Sequence, residues 1–394
     1  MAERADTTGA WEHVQVLAGE IGPRPATGPA EARAQGYAEE VLRRAGFDVR
    51  VEPFRSQTTF TWPWLLVGSL VTAAGILTWW PGLRGLGAVA GILGVVAFIG
   101  MADVALDVGR LFATGASRNV IGRLAPAGRP ERRVVLAAHA DSTKAALLFH
   151  PAQARRFGTN LRIHMAGSVW VALAAVLGAL VPGALRWEWI ALPGLVPVVY
   201  GLGLLVHREL AMPWVQGAND NASGVGLALA LAEHFGKNRP ERTEIWVAIT
   251  GCEEVGAPVG MARLVARHRA ELRGASVLVL DNLGAGELRY LLGEGNLRFH
   301  RSDPELVRLA AASAARHPDW RIGPSRVPPG SYTDAHASLA AGIPTLAIWA
   351  ERDGVLPNWH WPTDVLANVE PETLARAFTF VREIVEAIDR PHIA

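Results

Sequence analysis

The sequence contains a single cysteine, Cys252, and only two lysines, Lys144 and Lys237. One cysteine excludes an intramolecular disulfide and is compatible with a reducing compartment. The formal net charge is +1, and the sequence has neither a basic array nor a phosphate-binding glycine loop, so we expect no nucleic-acid partner. Residues 1–13 lack the charged start and apolar core of a signal peptide, so we expect none.

Short polar segments interrupt the apolar sequence at five places. They are AHADS at 138–142, GANDNASG at 217–224, GCEEVG at 251–256, LDNLG at 280–284 and HWPTD at 360–364. Three of them follow runs typical of buried strands, namely RRVVLAAH, TEIWVAITGCEE and ASVLVLDN. Ligands of open parallel α/β sheets bind beyond the carboxyl ends of the strands. We therefore expect His139, Glu253, Glu254 and Asp281 to converge there.

Asp220 precedes a different kind of element. NASG followed by VGLALALAEHF predicts the start of a helix, with Asn221 or Ser223 near its cap. A carboxylate at this helix terminus can project into the same crevice.

Two histidines and three carboxylates among these segments are enough to hold a pair of zinc ions. Zinc accepts imidazole nitrogen and carboxylate oxygen, and a bridging carboxylate reduces the repulsion between two neighbouring cations. Adjacent side chains on an extended segment point in opposite directions. One of Glu253 and Glu254 can therefore bind metal while the other acts as a base.

Each motif also has a simpler explanation. An isolated HxD occurs often by chance, GANDNASG alone fits a turn with a helix cap, and the two glutamates alone fit a solvated helix start. The hydrolase interpretation depends on all the motifs occurring together and in order. Four other histidines have no such neighbours and are expected to be structural or on the surface, namely His150, His164, His207 and His336.

The order and content of these motifs resemble the co-catalytic zinc exopeptidases, a family that includes bacterial leucyl aminopeptidases, glutamate carboxypeptidases and the zinc-less transferrin receptor. The resemblance begins at residues 19–54, resumes with SRNVIGRL at 117–124, and continues from SYTDAHASLAAGIPTLAIW at 331–349 to the final helix. It implies an α/β fold with a mixed, mostly parallel twisted sheet sandwiched by helices. It also implies two zinc ions, bridged by Asp220 and completed by His139 with Asp281 and by Glu254 with His360.

Four further side chains acquire roles from this resemblance. Glu253 would be the general base, and Asp141 would orient the imidazole of His139. Asp364 would do the same for the imidazole at position 360. Tyr332 is a candidate for stabilising the oxyanion, although it is not clearly in register with the tyrosine of the relatives.

The chain is 50% hydrophobic, with a mean hydropathy of +0.19. The excess of hydrophobic residues lies in four uncharged stretches, at 62–80, 85–102, 165–185 and 189–206. Each is close in length to the roughly 20 residues that a helix needs to cross a bilayer. We expect two transmembrane hairpins, at 61–106 and 161–208, inserted into a zinc peptidase domain formed by 1–60, 107–160 and 209–394. The alternative is that these stretches are long buried helices of the globular domain.

The arginine distribution predicts the orientation of the hairpins. Their tips carry only Arg84 and Arg186, whereas the ends that face the enzyme are richer in arginine, which favours a cytoplasmic catalytic domain. The scarcity of lysine is typical of a GC-rich bacterial genome, so we expect a bacterial inner-membrane protein with four transmembrane helices.

The predicted function is that of a membrane-anchored di-zinc aminopeptidase acting on peptides with a free N-terminus. A carboxypeptidase, a dipeptidase, a glutaminyl cyclase and a catalytically silent receptor or scaffold remain as alternatives. A homo-oligomer is possible, and the lipid bilayer is an expected partner.

Overall fold

A computed structural model of the chain describes residues 9–328 and 330–390. The expectation that residues 1–13 contain no signal peptide therefore falls largely outside the described residues. The strands are β1 (Asp48–Ser56), β2 (Gly115–Leu124), β3 (Arg132–His139), β4 (Thr243–Thr250), β5 (Ser276–Leu280), β6 (Glu287–Leu291), β7 (Gly293–Glu294), β8 (His300–Arg301), β9 (Gly323–Ser325) and β10 (Thr345–Glu351). Eight of them form one sheet in the order β1-β2-β4-β3-β5-β10-β6-β9, and β7 pairs with β8.

The centre of the sheet is parallel. β3 pairs in parallel with β4 on one side and with β5 on the other, and β5 pairs in parallel with β10. At one edge of the sheet, β6 and β9 are also parallel. The pairings of β1 with β2, β2 with β4 and β6 with β10 are antiparallel. The expected mixed, mostly parallel sheet is therefore confirmed, and the carboxyl ends of its central strands meet at one edge.

Helices cover both faces of the sheet. The α-helices are α1 (Pro29–Arg44), α2 (Thr61–Leu77), α3 (Arg84–Ala102), α4 (Phe157–Leu180), α5 (Trp187–Ala211), α6 (Ser223–Lys237), α7 (Val259–Arg267), α8 (Pro304–Arg316), α9 (Ala335–Ala340) and α10 (Pro371–Asp389). A π-helical segment spans Gln15–Ile21. Along β3, Val134 and Leu136 pack in the core with α1, α6 and α10, whereas Val135 and Ala137 pack with α7 and α9. Both faces of the strand are therefore buried, which explains its continuous apolar sequence.

Two helical hairpins leave this domain. The first, α2 with α3, lies between β1 and β2, and Ser56 at the end of β1 pairs with Gly115 at the start of β2. The chain therefore departs and returns at one point of the sheet edge. The second, α4 with α5, lies between β3 and the segment that carries Asp220. In the resulting bundle, α2 packs on α3 and α5, and α4 packs on the same two helices.

The second hairpin begins earlier than the apolar stretch at 165–185 that predicted it. α4 starts at Phe157, and its first turns are more polar than the rest of the helix but still pack against neighbouring residues on one face. Phe157 stacks on Phe149, and His164 stacks on Phe98 of α3. The helix limits therefore extend beyond the expected insertion at 161–208.

The bundle helices expose apolar side chains. Among the described residues, three helical segments are long and apolar enough to cross a membrane by length and composition, namely Pro81–Ala102, Ala154–Leu180 and Trp187–Ala211. The fourth expected span, α2, is apolar but has 17 residues. Nearly all the exposed large apolar residues of the described chain belong to the two hairpins, with Val196 at 69% exposure as an example. Such a surface is typical of a membrane or protein contact rather than of water.

Polar contacts join the hairpins at both ends. At the tips, Arg84 of α3 lies 3.5 Å from Glu188 of α5 and donates to the carbonyl of Pro182. At the enzyme end, Arg208 of α5 is fully buried and lies over the ring of Phe60. Its guanidinium donates to hydroxyl groups on both sides of the hairpin base, those of Thr59, Thr61 and Thr143.

Candidate active site

The polar segments predicted to converge do so at the carboxyl edge of the central strands. β3 ends at His139, β4 leads into Glu253 and Glu254, and Asp281 follows β5. The Asp220 segment adopts the predicted helix start, because Asn221 Oδ1 accepts a hydrogen bond from the Gly224 amide at the beginning of α6.

Asp220 faces two imidazoles. Its Oδ1 lies 3.3 Å from His139 Nε2, and its Oδ2 lies 3.3 Å from His360 Nε2. Asp281 Oδ1 lies 3.7 Å from the same nitrogen of His139, and Glu254 Oε1 lies 3.0 Å from that of His360. The result is two buried donor groups that share the carboxylate of Asp220.

The donor atoms fit metal ions better than they fit one another. In a tetrahedral zinc site with bonds of about 2.0–2.1 Å, neighbouring donors are about 3.3 Å apart, and the separations found here lie close to that value. Within the described residues, Glu254 Oε1 is buried without a hydrogen-bond partner although it faces His360. A buried acceptor without a donor is costly unless a cation satisfies it. The set combines imidazole with carboxylate, and zinc accepts both types of ligand.

Without a cation the two imidazoles hold protons. Burial alone would lower the pKa of His360, but the carboxylates of Glu254 and Asp220 raise it to about 9. Burial opposes the same effect at His139, whose pKa is raised well above its usual value by Asp141, Asp220 and Asp281. Metal ligation by these side chains therefore competes with protonation.

Glu253 belongs to neither donor group, although it is the neighbour of Glu254 in sequence. It is buried and lines the same cavity as the two groups. Burial raises the pKa of its carboxyl well above the ordinary value, and nearby Glu254 and Asp281 add to the shift. A carboxyl whose pKa is raised in this way holds a proton more readily than an ordinary one, which suits it to exchange protons with a reacting group.

Asp141 connects the ends of two strands. Its Oδ1 accepts from the Glu253 amide at 3.1 Å and its Oδ2 from the Glu254 amide at 3.0 Å. The same carboxylate lies 3.6 Å from His139 Nδ1, and the Asp141 carbonyl oxygen is nearer, at 3.2 Å. The residue therefore orients this imidazole and fixes the glutamate segment.

The structure corrects the expectation for Asp364. Its carboxylate accepts from the amides of Asn219, at 2.6 Å, and Asp220, at 3.2 Å, rather than from His360. The turn that contains His360 and Asp364 directs the carboxylate of Asp364 toward the loop of Asp220. Within the described residues, Nδ1 of His360 is buried without a hydrogen-bond partner.

Tyr332 lines the cavity beside the donor groups. Burial, together with the nearby charges of Glu253 and Glu254, raises the pKa of its phenol well above the usual value, so the phenol stays protonated and able to donate. Among the histidines expected to be structural or on the surface, His164 lines the same cavity from α4, and His336 packs against His300.

Sequence reasoning missed several buried charges near the site. Arg24 donates to the main-chain carbonyls of five residues, namely Leu17, Gly22, Ala140, Gln216 and Gly217. It thereby joins the segments after β3 and before Asp220. Glu31 accepts from the Cys252 amide, and Glu294 accepts from the amide and hydroxyl of Thr333. Arg24 and Glu31 lie within the 19–54 match, but no local pattern marks either as buried.

Comparisons with known proteins support the same fold. The model of Peptidase family M28 matches residues 205–385. No curated protein matches the sequence significantly. A zinc aminopeptidase from Bacillus subtilis is 15% identical with a TM-score of 0.59, and the match covers 97% of this chain and 95% of that one.

Two further solved structures are similar over nearly their whole lengths. An aminopeptidase from Aneurinibacillus sp. strain AM-1 is 16% identical with a TM-score of 0.56, covering 96% of this chain and 93% of that one. A glutaminyl cyclase from Tannerella forsythia is 15% identical with a TM-score of 0.55, covering 96% and 98%. At these identities the structures establish the shared fold, which hosts more than one activity.

Proposed function

We propose that the chain is a membrane-anchored di-zinc aminopeptidase. The observation that carries this proposal is the sharing of Asp220 between two buried imidazole and carboxylate groups, with Glu253 beside them but outside both. The match to a peptidase family model and the fold shared with a zinc aminopeptidase support it.

The two donor groups would hold one zinc ion each. His139 and Asp281 would complete one site, Glu254 and His360 the other, and Asp220 would bridge them. Bound there, zinc would polarise the scissile carbonyl and lower the pKa of a water molecule.

Glu253 would move the proton. Its carboxylate would accept a proton from the attacking water and return it to the nitrogen of the departing amine. Asp141 would keep Glu253 in place through the amide hydrogen bond, and the protonated phenol of Tyr332 would be available to stabilise negative charge on the carbonyl oxygen. The carboxylates around the site favour the amine of a free N-terminus.

A glutaminyl cyclase is the second candidate, because a cyclase shares the fold. The family resemblance implies a single zinc ion for the cyclases, whereas the described residues of the present chain offer two donor groups. A silent receptor has no physical need to bury five such donors together, since each buried carboxylate is costly without a cation.

The proposed location is a bacterial inner membrane, with α2 to α5 spanning it and the peptidase domain in the cytoplasm. The arginine-rich enzyme ends and the arginine-poor tips favour that orientation.

The test combines metal analysis with two neighbouring variants of the detergent-purified protein. We expect about two zinc ions per chain and chelator-sensitive release of N-terminal residues from aminoacyl chromogenic substrates. Glu253→Gln should keep the metal and lower turnover by about 10²- to 10⁴-fold, whereas Glu254→Gln should lose metal. Full activity in Glu253→Gln would reject the mechanism, and one zinc ion with cyclisation of N-terminal glutamine would favour the second candidate.

A further inference from the structure

A cavity of about 340 Å³ extends from the donor groups into the helical bundle. At one end it is lined by Asp220, Glu254 and His360, and at the other by side chains of all four inserted helices. The proposed catalytic centre and the proposed membrane anchor therefore share one internal space.

The bundle end of this cavity is largely apolar, although Asn160 and His164 of α4 also line it. Trp64 of α2, Phe98 of α3, Leu161 of α4 and Leu205 of α5 form its walls. Within residues 9–328 and 330–390, no aspartate, glutamate, lysine or arginine of α2 to α5 lines it. Because the opposite end is rich in carboxylates and imidazoles, the cavity matches a ligand with one polar end and one apolar end.

The cavity reaches the outer surface of the bundle between α4 and α5. Ile163 and Tyr200 both line it, yet they are 52% and 64% exposed. The surface around this opening carries other exposed apolar side chains, among them Val196 and Val199. If these helices cross a bilayer, the opening faces the bilayer rather than water.

An aliphatic chain fits this space better than a length of peptide. Each peptide unit placed among apolar helices would need partners for its N–H and C=O groups, and the walls formed by the helices offer few. A hydrocarbon chain carries no such groups and gains from leaving water.

We propose that the substrate is an amide bearing one long aliphatic chain, which lies between α4 and α5 and enters from the bilayer while the amide reaches the donor groups. This proposal rests on the proposed hydrolase function. The chain belongs either to the acyl side of the scissile bond or to the amine side, and the experiment distinguishes the two.

The experiment uses zinc-loaded protein in lipid nanodiscs and two substrate series. One is a series of α-amino acid p-nitroanilides with linear side chains of increasing length, and the other is a series of leucine N-alkylamides. We expect kcat/KM to rise by about fourfold per methylene in one series until the cavity is filled. The series that responds identifies the side that carries the chain.

Longer chains also partition more strongly into the bilayer, so the decisive comparison is between variants. Leu205→Trp fills the cavity from α5 and Leu161→Trp fills it from α4, whereas Leu93→Trp makes the same change on the outer surface of α3, away from the cavity lining. The ratio of kcat/KM for the longest to the shortest substrate should fall at least tenfold in a cavity variant and remain unchanged in Leu93→Trp. Zinc content identifies variants that fail to fold.

Two outcomes overturn the proposal. One is hydrolysis of short substrates with no chain-length dependence in either series, which leaves the hydrolase function intact. The other is an equal chain-length ratio in the cavity variants and in Leu93→Trp. If no amide is hydrolysed, the proposed function fails, and the affinity of the zinc-loaded protein for linear alkyl hydroxamates of increasing length decides the question. Affinity that rises with length and is lost in Leu205→Trp supports an aliphatic site, and affinity independent of length rejects it.

Discussion

The carboxylate of Asp141 accepts a hydrogen bond from the backbone amide of Glu253 at 3.1 Å, and so connects the end of β3 to the end of β4. The second oxygen of Asp141 accepts from the next amide, that of Glu254. A metal donor and the proposed base therefore depend on one side chain that belongs to neither donor group.

Asp141→Asn should lower zinc affinity by about 10- to 100-fold and turnover with it. The amide of asparagine has one acceptor oxygen, so its nitrogen would face a backbone donor at position 253 or 254. Zinc affinity, measured by competition with a chelator, and kcat for an aminoacyl substrate check the prediction.

Asp389→Asn is the matched control. Asp389 also accepts from two consecutive amides, those of Glu241 and Arg242, but at the opposite end of β4. This variant should retain the zinc affinity of the unmodified chain. Equal losses in both variants would mean that the effect of Asp141 is a general loss of stability.

Zinc affinity should rise with pH up to about pH 9. The carboxylates of Glu254 and Asp220 raise the pKa of His360 to about 9 in the absence of metal, so below that pH zinc must displace a proton from this ring. Each displaced proton costs about tenfold in apparent affinity per pH unit as the pH falls, and His139 adds a second one. Chelator competition between pH 6 and 8 measures the slope.

The slope should be close to two and should fall by about one in His360→Gln. The exposed His207 is a control, because His207→Gln removes an imidazole that belongs to neither donor group. An affinity independent of pH in the unmodified chain would contradict the proton competition.

The buried Arg208 should stabilise the junction between the hairpins and the enzyme. It donates to the hydroxyls of Thr59, Thr61 and Thr143, and Arg208→Met would leave these groups without their donor. We expect a loss on the order of 3 kcal/mol in the free energy of unfolding. Thermal unfolding in detergent should show a midpoint several degrees lower.

Arg162→Met is the comparison for this variant. Arg162 lies on α4 near the same end of the bundle, is exposed, and donates to the carbonyl of Gly158 in its own helix. Its loss should change the midpoint little. A midpoint for Arg208→Met as high as that of Arg162→Met would show that the buried contacts add no net stability.

Local patterns predicted that part of the donor set would converge, whereas the place of His360 and the pairing of the ligands followed from the family resemblance. An apolar run that ends in His139, or in Asp281, identifies the carboxyl end of a strand, and NASG identifies a helix start next to Asp220. The parallel pairing of β3, β4 and β5 then brings these ends together. No long-range information was needed to expect their convergence.

Other features depend on contacts between segments distant in sequence. Asp364 lies near His360 in sequence, yet its carboxylate is directed by amides of the Asp220 loop. In the sequence, Arg208 is one of the arginines at the hairpin ends that face the enzyme. In the structure it is buried and donates to hydroxyl groups of two other segments. The start of α4 was missed because hydropathy decreases before residue 165, while Phe157 is held by stacking on Phe149.

The membrane orientation can be tested through the scarcity of cysteine. Cys252 is buried, and burial raises the pKa of its thiol well above the usual value, so its background reaction with a maleimide should be slow. Gly183 lies at the exposed tip of the second hairpin, where a side chain would meet no neighbour within 4 Å. Arg273 is exposed on the enzyme domain.

In spheroplasts of a bacterial host, a membrane-impermeant maleimide should label Gly183→Cys directly and Arg273→Cys only after lysis. The reverse pattern would place the catalytic domain outside the cytoplasm, and labelling of both variants before lysis would show that the hairpins do not separate the two sites by a membrane.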